Sequence, residues 1–258
     1  MALELEPLIS ETVDFALPRD QAHVWCLQQA RLQEALPRLL EVLSEDERER
    51  AARFRFERHR TQYILSRGAL RILIGRYLRI DPGEAKFQHN EYGKPYLDSR
   101  YHHDSTLEFS LAHSGDLTVF AFARDSAIGV DCEFVRSVPD AEEIAARFFS
   151  QWEDDVLKSL PEDQKTAAFY SCWTRKEAYI KAMGLGLSMP LDRFAVSIKP
   201  EEPAQLIHID GSASEAAKWA VKSWEPKAGY IAAVACKCAD PRWRFYQIPE
   251  VNEGLNEG

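Results

Sequence analysis

The sequence predicts an α+β fold made of two lobes of similar size. Helical patterns precede strand patterns twice along the chain, with a pivot near Arg124 to Glu133. The length of 258 residues suits one large domain or two small ones and is ample for a real core. The expected organisation is an extension over 1–20, an N-terminal α+β half over 21–126, a C-terminal α+β half over 127–246 and a loose tail over 247–258. No sequence repeat between the halves is evident. A cleft between two such lobes is a common ligand site.

The elements follow in order. The extension ends near Pro18, and Gln21 to Leu27 reads as a strand. Leu32 to Leu43 reads as helix, entered or interrupted near Pro37. Ser44-Glu-Asp-Glu47 is a capping box that opens the next helix. A longer helix is expected from about His59 to Leu78, where Tyr63, Leu70, Ile74 and Tyr77 keep a helical period. Asp81-Pro-Gly ends it by turn chemistry. Ala85 to Gln88 reads as a strand and Glu91 to Pro95 as a turn. Leu107 to Ala112, Leu117 to Arg124 and Ala127 to Glu133 read as strands of one sheet. Helices are expected over Ala141 to Phe149, from Ser150, and from about Glu162 to Met183, with Gly184 where a C-cap glycine belongs. Phe194 to Ile198, Ala204 to Ile209, Lys218 to Trp224 and Tyr230 to Cys236 read as strands.

Composition narrows the function classes. The chain is 45% hydrophobic and 28% charged, and no run approaches the ~18 apolar residues of a membrane span. The N-terminus is acidic and lacks the basic segment of a signal peptide. Five scattered cysteines fit reduced thiols in a cytoplasmic protein better than a disulfide framework, and Cys236-x-Cys238 has no second pair at zinc-site spacing. His102-His103-Asp104 reads as a polar loop rather than a metal site. The net charge of -9 argues against bulk nucleic-acid binding. Yet ten arginines and no lysine lie between Arg48 and Arg79, opposed only by Glu49 and Glu57. Solvated helix faces account for most of them. Because arginine's planar fork suits phosphate, a local phosphate site is a better second reading than a nucleic-acid groove.

Two short stretches carry chemistry. In Trp173-Thr-Arg-Lys-Glu-Ala-Tyr-Ile-Lys181, Glu177 and Lys181 sit four apart on one helix face. They are either a surface ion pair worth ~0.3–0.5 kcal/mol or a carboxylate and an ammonium that hold a metal ion and a phosphate together. In Ile128-Gly-Val-Asp-Cys-Glu133, strand alternation puts Asp131 and Glu133 on one face and Cys132 on the other. The pair is either an exposed acidic edge or, with Glu177, an oxygen-only site of the kind magnesium accepts.

These two stretches, together with Arg147-Phe-Phe-Ser-Gln-Trp-Glu153, Gly184-Leu-Gly-Leu-Ser-Met-Pro-Leu-Asp192, Tyr92-Gly-Lys-Pro95 and Phe109-Ser-Leu-Ala-His-Ser-Gly115, resemble the Sfp-type 4′-phosphopantetheinyl transferases. Order and spacing hold from about Ser44 to about Cys236. The resemblance implies two pseudo-twofold-related α+β halves with coenzyme A in the cleft between them. It implies transfer of phosphopantetheine to a serine of an apo acyl or peptidyl carrier protein, with release of adenosine 3′,5′-bisphosphate. By position, Asp131, Glu133 and Glu177 would be magnesium ligands, and Lys181 would pair with the coenzyme A pyrophosphate. His113 and Lys94 would contact the nucleotide phosphate region, and Arg53 and Arg50 the 3′-phosphate. Glu153 matches a general base for the carrier serine, but Ser150-Gln-Trp-Glu153 is also a capping box; both readings stay open, as does a metal-bound water as base. His113 is a weaker base, since its matched role is phosphate contact.

Two departures from the family pattern stand out. Ala112 replaces a serine, which predicts loss of one coenzyme A hydrogen bond at a net cost of ~0.5–1.5 kcal/mol. Cys132 replaces an acidic or small residue and is expected to pack. Phe148, Phe149 and Trp152 are expected to divide between core and a docking patch for a carrier helix. The family implies a monomer, without membrane or nucleic-acid partners. Fatty-acid, polyketide and nonribosomal-peptide carriers are all compatible with the sequence. The rival readings are a catalytically silent carrier-binding protein of the same fold and an arginine-rich nucleic-acid-binding module.

Overall fold

In the computed structural model, which describes residues 13–102, 105–199 and 201–248, each half of the chain rests on one 22-residue helix packed against a sheet. The N-terminal half runs β1 (Gln21–Gln28), a 3₁₀ segment, α1 (Leu36–Glu41), α2 (Glu45–Ala52), α3 (Glu57–Leu78), a small hairpin of β2 (Phe87–His89) and β3 (Pro95–Leu97), then β4 (Leu107–Ser114) and β5 (Leu117–Arg124). The C-terminal half repeats the plan. β6 (Ile128–Phe134) is followed by α4 (Ala141–Phe148), α5 (Gln151–Ser159) and α6 (Glu162–Met183). A small hairpin of β7 (Phe194–Val196) and β8 (Leu206–Ile209) comes next, then the short α7 (Ala213–Ala216), β9 (Ala220–Trp224) and β10 (Tyr230–Cys236). The strand orders correspond: β1-β5-β4 in one sheet and β6-β10-β9 in the other. Both long helices end on a residue in the left-handed conformation, Arg79 and Gly184. The halves share the backbone plan, the caps and few side chains, so the repeat is not evident in the sequence.

Alternation along the strands produces four layers, helices–sheet–sheet–helices. Trp25, Leu27, Phe120 and Phe122 face α3 with Leu65, Leu70 and Leu73. Ala233 and Ala235 face α6 with Cys172 and Tyr179. Between the sheets lie smaller groups, among them Ala22, Val24, Ala121, Val130, Ala232 and Val234. Small side chains let the two sheets approach, so the seam between the halves has an apolar core.

Two expectations are corrected. β6 does not join β4 and β5 in one sheet. After the turn at Asp125, whose φ is 54°, β6 pairs with β10. Its edge amides toward β4 are met by side chains instead: Val130 N–H donates to Ser110 Oγ (3.1 Å) and Phe134 N–H to Ser114 Oγ (3.0 Å). The C-terminal half also does not own every residue up to 246. Arg242–Gln247 form an eleventh strand, β11, that pairs in parallel with β1 of the N-terminal sheet. The tail expected over 247–258 therefore begins inside a strand, and its residues 249–258 lie outside the described ones, as do residues 1–12 of the extension.

One contact sets the distance between β6 and α6. A Cβ at Gly129 would lie 2.1 Å from the Ala178 carbonyl oxygen and 2.3 Å from the Ala182 nitrogen. Only glycine permits that approach. Gly129→Ala is expected to lower stability in urea unfolding by ~1–3 kcal/mol or more, the cost of overpacking against an immobile backbone.

His23, on β1, is 1% exposed and bonded through Nδ1 to the Tyr77 hydroxyl (2.8 Å). Burial, helped by the positive Arg244, lowers its pKa from 6.5 to about 4, against a small opposing pull from Asp14. The unfolded chain therefore takes up this proton first as pH falls. The stabilising contribution is complete above pH 6.5 and is lost between 6.5 and 4, on the order of 3 kcal/mol. His23→Gln should flatten the stability-versus-pH curve in that window in denaturant titrations.

Candidate active site

The close contact at Gly129 brings the polar face of β6 against α6. Asp131, on β6, is 5% exposed; its Oδ1 accepts from Lys181 Nζ at 2.6 Å. Its Oδ2 is buried with no hydrogen-bond partner. Burial pushes the Asp131 pKa up to about 7; Lys181 opposes the rise, while Glu177 and Glu133 add to it. For Glu177, burial again raises the pKa, Lys181 opposes and Glu133 adds. Burial would lower the Lys181 pKa, but Asp131 and Glu177 act together against it and the net direction is up. The four side chains expected to meet are thus brought to one place. Glu177 and Lys181 are not an exposed surface pair.

Three carboxylates against one ammonium leave two negative charges in excess when all are ionised, which complements a divalent cation. The donors are all oxygens, and the orphaned Asp131 Oδ2 is a buried acceptor awaiting a partner. The residues therefore fit magnesium. Among the described residues, however, no three His, Cys, Asp or Glu side chains stand as a ready-made cage. Asp131 is turned to Lys181, and Glu133 Oε2 accepts from Ser114 Oγ at 2.8 Å. Cys132, on the opposite face, is fully buried in the seam, as expected.

Two adjoining cavities run from this cluster along the seam. The smaller, about 240 Å³, is lined by Tyr92 to Pro95, Phe109 to Leu111, Lys181, Gly184 and Gly186. The larger, about 520 Å³, shares Gly93, Pro95 and Leu111 and is lined further along by Arg50, His59, Tyr63, Arg67 and His113. Arg50 lies over the Tyr63 ring at 5.4 Å. The cleft thus carries an ammonium at one end and, at the other, the guanidinium groups of Arg50 and Arg67 and the imidazoles of His59 and His113 beside the carboxylates of Asp46 and Glu47.

Other expected residues are placed less simply. Lys94 lines the smaller cavity, but its Nζ donates to the Ala182 carbonyl at 3.0 Å, and burial lowers its pKa. Together with Asn90, whose Nδ2 donates to the Gly184 carbonyl at 2.6 Å, it ties the N-terminal hairpin to the end of α6. Arg53 lines neither cavity; it is exposed and pairs with Glu49 at 3.2 Å. Ala112 is 6% exposed and packs in the seam, so its methyl does not replace a hydroxyl that faces the cleft. Phe149 is core, whereas Phe148 and Trp152 are exposed.

Glu153 is corrected. It is 0% exposed. Its Oε2 accepts from the Ser150 amide at 2.7 Å and pairs with Lys176 Nζ at 2.7 Å; its Oε1 accepts from the Val196 amide at 2.7 Å. A general base must reach the proton it takes. This carboxylate reaches only the interior of the C-terminal half, so the capping-box reading prevails.

Sequence reasoning missed Ser110 and Ser114, which hold β6 and Glu133, and the role of Arg67. Arg67 and Arg71 both pair with the buried Glu47, each at 2.5 Å, so part of the arginine-rich stretch is internal. The signal for the serines was their four-residue spacing on a strand, which puts both hydroxyls on one face.

The 4′-phosphopantetheinyl transferase superfamily description matches residues 127–235, and that of the 4′-phosphopantetheinyl transferase N-terminal region matches residues 30–125. The 4′-phosphopantetheinyl transferase HetI of Nostoc sp. is 37% identical over 222 residues, which cover 86% of this chain and 90% of that protein. The 4′-phosphopantetheinyl transferase Sfp of Bacillus subtilis is 32% identical over 208 residues, covering 81% and 88%. The chain belongs to the 4′-phosphopantetheinyl transferase family.

Proposed function

We propose that this enzyme transfers the phosphopantetheine arm of coenzyme A to the serine hydroxyl of an apo acyl or peptidyl carrier protein, releasing adenosine 3′,5′-bisphosphate. The observation that carries the reading is the pair of adjoining cavities with Lys181, bonded to Asp131 of the carboxylate cluster, at one end and Arg50 and His113 at the other. Coenzyme A has phosphates at two separated places, the pyrophosphate and the 3′-phosphate, and such a cleft offers cations to both.

Asp131, Glu133 and Glu177 would hold magnesium, which when bound supplies Lewis-acid charge stabilisation at the pyrophosphate. Lys181 then turns from Asp131 to the same phosphates, and its raised pKa keeps it charged. Arg50 and His113 take the 3′-phosphate end and orient the nucleotide. Arg53, held outside the cleft by Glu49, is left as an outer member of that end. Lys94 fixes the hairpin wall through the Ala182 carbonyl. Phe148 and Trp152, with Arg147 over the Phe148 ring at 5.1 Å, form the apolar and cationic patch on which an acidic carrier helix docks.

The reading includes a monomer, because the seam that forms the cleft is internal to one chain. It also includes a reducing, cytoplasmic setting, which the five free thiols suit. Among the described residues no helix is long and apolar enough to cross a membrane. An intact carboxylate–lysine cluster disfavours the silent-protein reading, and the pairing of Arg67 and Arg71 with the buried Glu47 disfavours the nucleic-acid one.

Mass spectrometry of apo carriers from fatty-acid, polyketide and nonribosomal-peptide assembly, incubated with coenzyme A and magnesium, tests the reading. At least one should gain the arm, and failure across all three classes would count against it. Chelation should abolish the gain and added magnesium restore it. Glu177→Ala should slow transfer ~10²–10³-fold or more, and near-normal turnover in that variant would remove Glu177 from the site.

A further inference from the structure

The buried pair Glu153–Lys176 has a counterpart in the other half of the chain. Ser44 and Glu47 stand to α2 as Ser150 and Glu153 stand to α5. Each serine is the N-cap, and each glutamate, third in its helix, returns a carboxylate oxygen to the serine amide, at 3.0 and 2.7 Å. The fifteenth residue of each long helix then brings a cation to that carboxylate: Arg71 of α3 and Lys176 of α6. Arg71 Nε meets Glu47 Oε2 at 2.5 Å, and Lys176 Nζ meets Glu153 Oε2 at 2.7 Å.

Both cations use their remaining N–H groups in the same way, on carbonyls of the segment that follows their own helix. Arg71 Nη1 donates to Pro82 (2.9 Å), Gly83 (3.3 Å) and Ala85 (3.0 Å); Lys176 Nζ donates to Leu191 and Phe194, each at 2.7 Å. All four charged groups are nearly inaccessible: Glu47 4%, Arg71 1%, Glu153 0% and Lys176 1% exposed. A clamp that occurs once in each half, while the carboxylate cluster occurs in only one, belongs to the fold rather than to the chemistry of transfer.

The second copy nevertheless adjoins that chemistry. Lys176 immediately precedes Glu177 on α6. The clamp joins the start of α5, the strand β7 through the Val196 amide, and the loop after α6. We propose that Glu153 and Lys176 are a positioning pair for the transfer proposed above: they fix the rotation of α6 about its axis, and with it the approach of Glu177 and Lys181 to Asp131. Neither touches substrate.

The pair makes a prediction that a base at Glu153 does not. Glu153→Gln keeps an N3 side chain able to cap but removes the charge, and Lys176→Met removes the partner. If the pair positions α6, both variants lower the melting temperature and both weaken coenzyme A. KM and the Kd from direct titration should then rise about tenfold or more together. Lys176→Arg, which copies Arg71, should restore both to within about threefold of wild type, because the N-terminal clamp runs on arginine. Loss of kcat in Glu153→Gln with melting temperature, KM and Kd at wild-type values would overturn the proposal in favour of a base. Wild-type kinetics in a folded Lys176→Met would overturn it equally. If Lys176→Met does not fold, the comparison of Glu153→Gln with Lys176→Arg decides. A wild-type protein that serves no carrier would count against the transfer reading itself, and the coenzyme A affinities and melting temperatures would still judge the clamp.

Discussion

The site depends on how closely β6 lies against α6. At Gly129 there is no room for a methyl group between the strand and the helix backbone. Because the helix sits that near, the side chain two residues along the strand, Asp131, reaches Lys181 at 2.6 Å, and Glu177 enters the same electrostatic field. A methyl group at position 129 would lift the strand from the helix and separate Asp131 from Lys181 and Glu177. The glycine is a spacing device, and the chemistry is arranged around it.

The same logic holds the other wall of the cleft. Small residues bring the two sheets together, and Ser110 and Ser114 supply acceptors that β6's edge amides would otherwise lack. Ser114 also holds Glu133, so a residue of the N-terminal half aims a carboxylate of the C-terminal half. At the far side, the Tyr230 hydroxyl donates to Asp116 at 2.6 Å, and Lys227 pairs with the same carboxylate at 2.7 Å. The halves are therefore locked across the seam at several points. Within the lock, Asp131 is left with a buried oxygen lacking a partner, a local cost that a bound cation would relieve.

Much of this was legible in the sequence, for reasons that can be named. Helix α6 was readable from Glu162 to Met183 because its cap glycine and period are local signals, and β10 because its apolar run is. Strand alternation put Asp131 and Glu133 on one face and Cys132 on the other. β11 was not readable: its alternating charged and aromatic residues resemble a polar tail, and its pairing with β1 is a contact between residues more than 200 apart in the chain. Which sheet β6 would join was equally non-local, decided by a turn at Asp125 and by serine side chains on another strand. Glu153 shows the sharpest limit. Motif and capping box coincide there, and only burial and the partner Lys176 separate them. The arginine-rich stretch divides on the same ground: Arg71 serves Glu47 inside the protein, whereas Arg67 pairs with Glu47 from the wall of the larger cavity that Arg50 also lines.

The central claim is that β6 and α6 together form one cation-and-pyrophosphate site. Titration calorimetry of coenzyme A into the wild-type protein, with and without magnesium, measures it most directly. The account predicts that magnesium tightens coenzyme A binding and that Asp131→Asn abolishes the tightening while the protein stays folded. Equal affinity with and without magnesium, or an undiminished magnesium effect in Asp131→Asn, would contradict it.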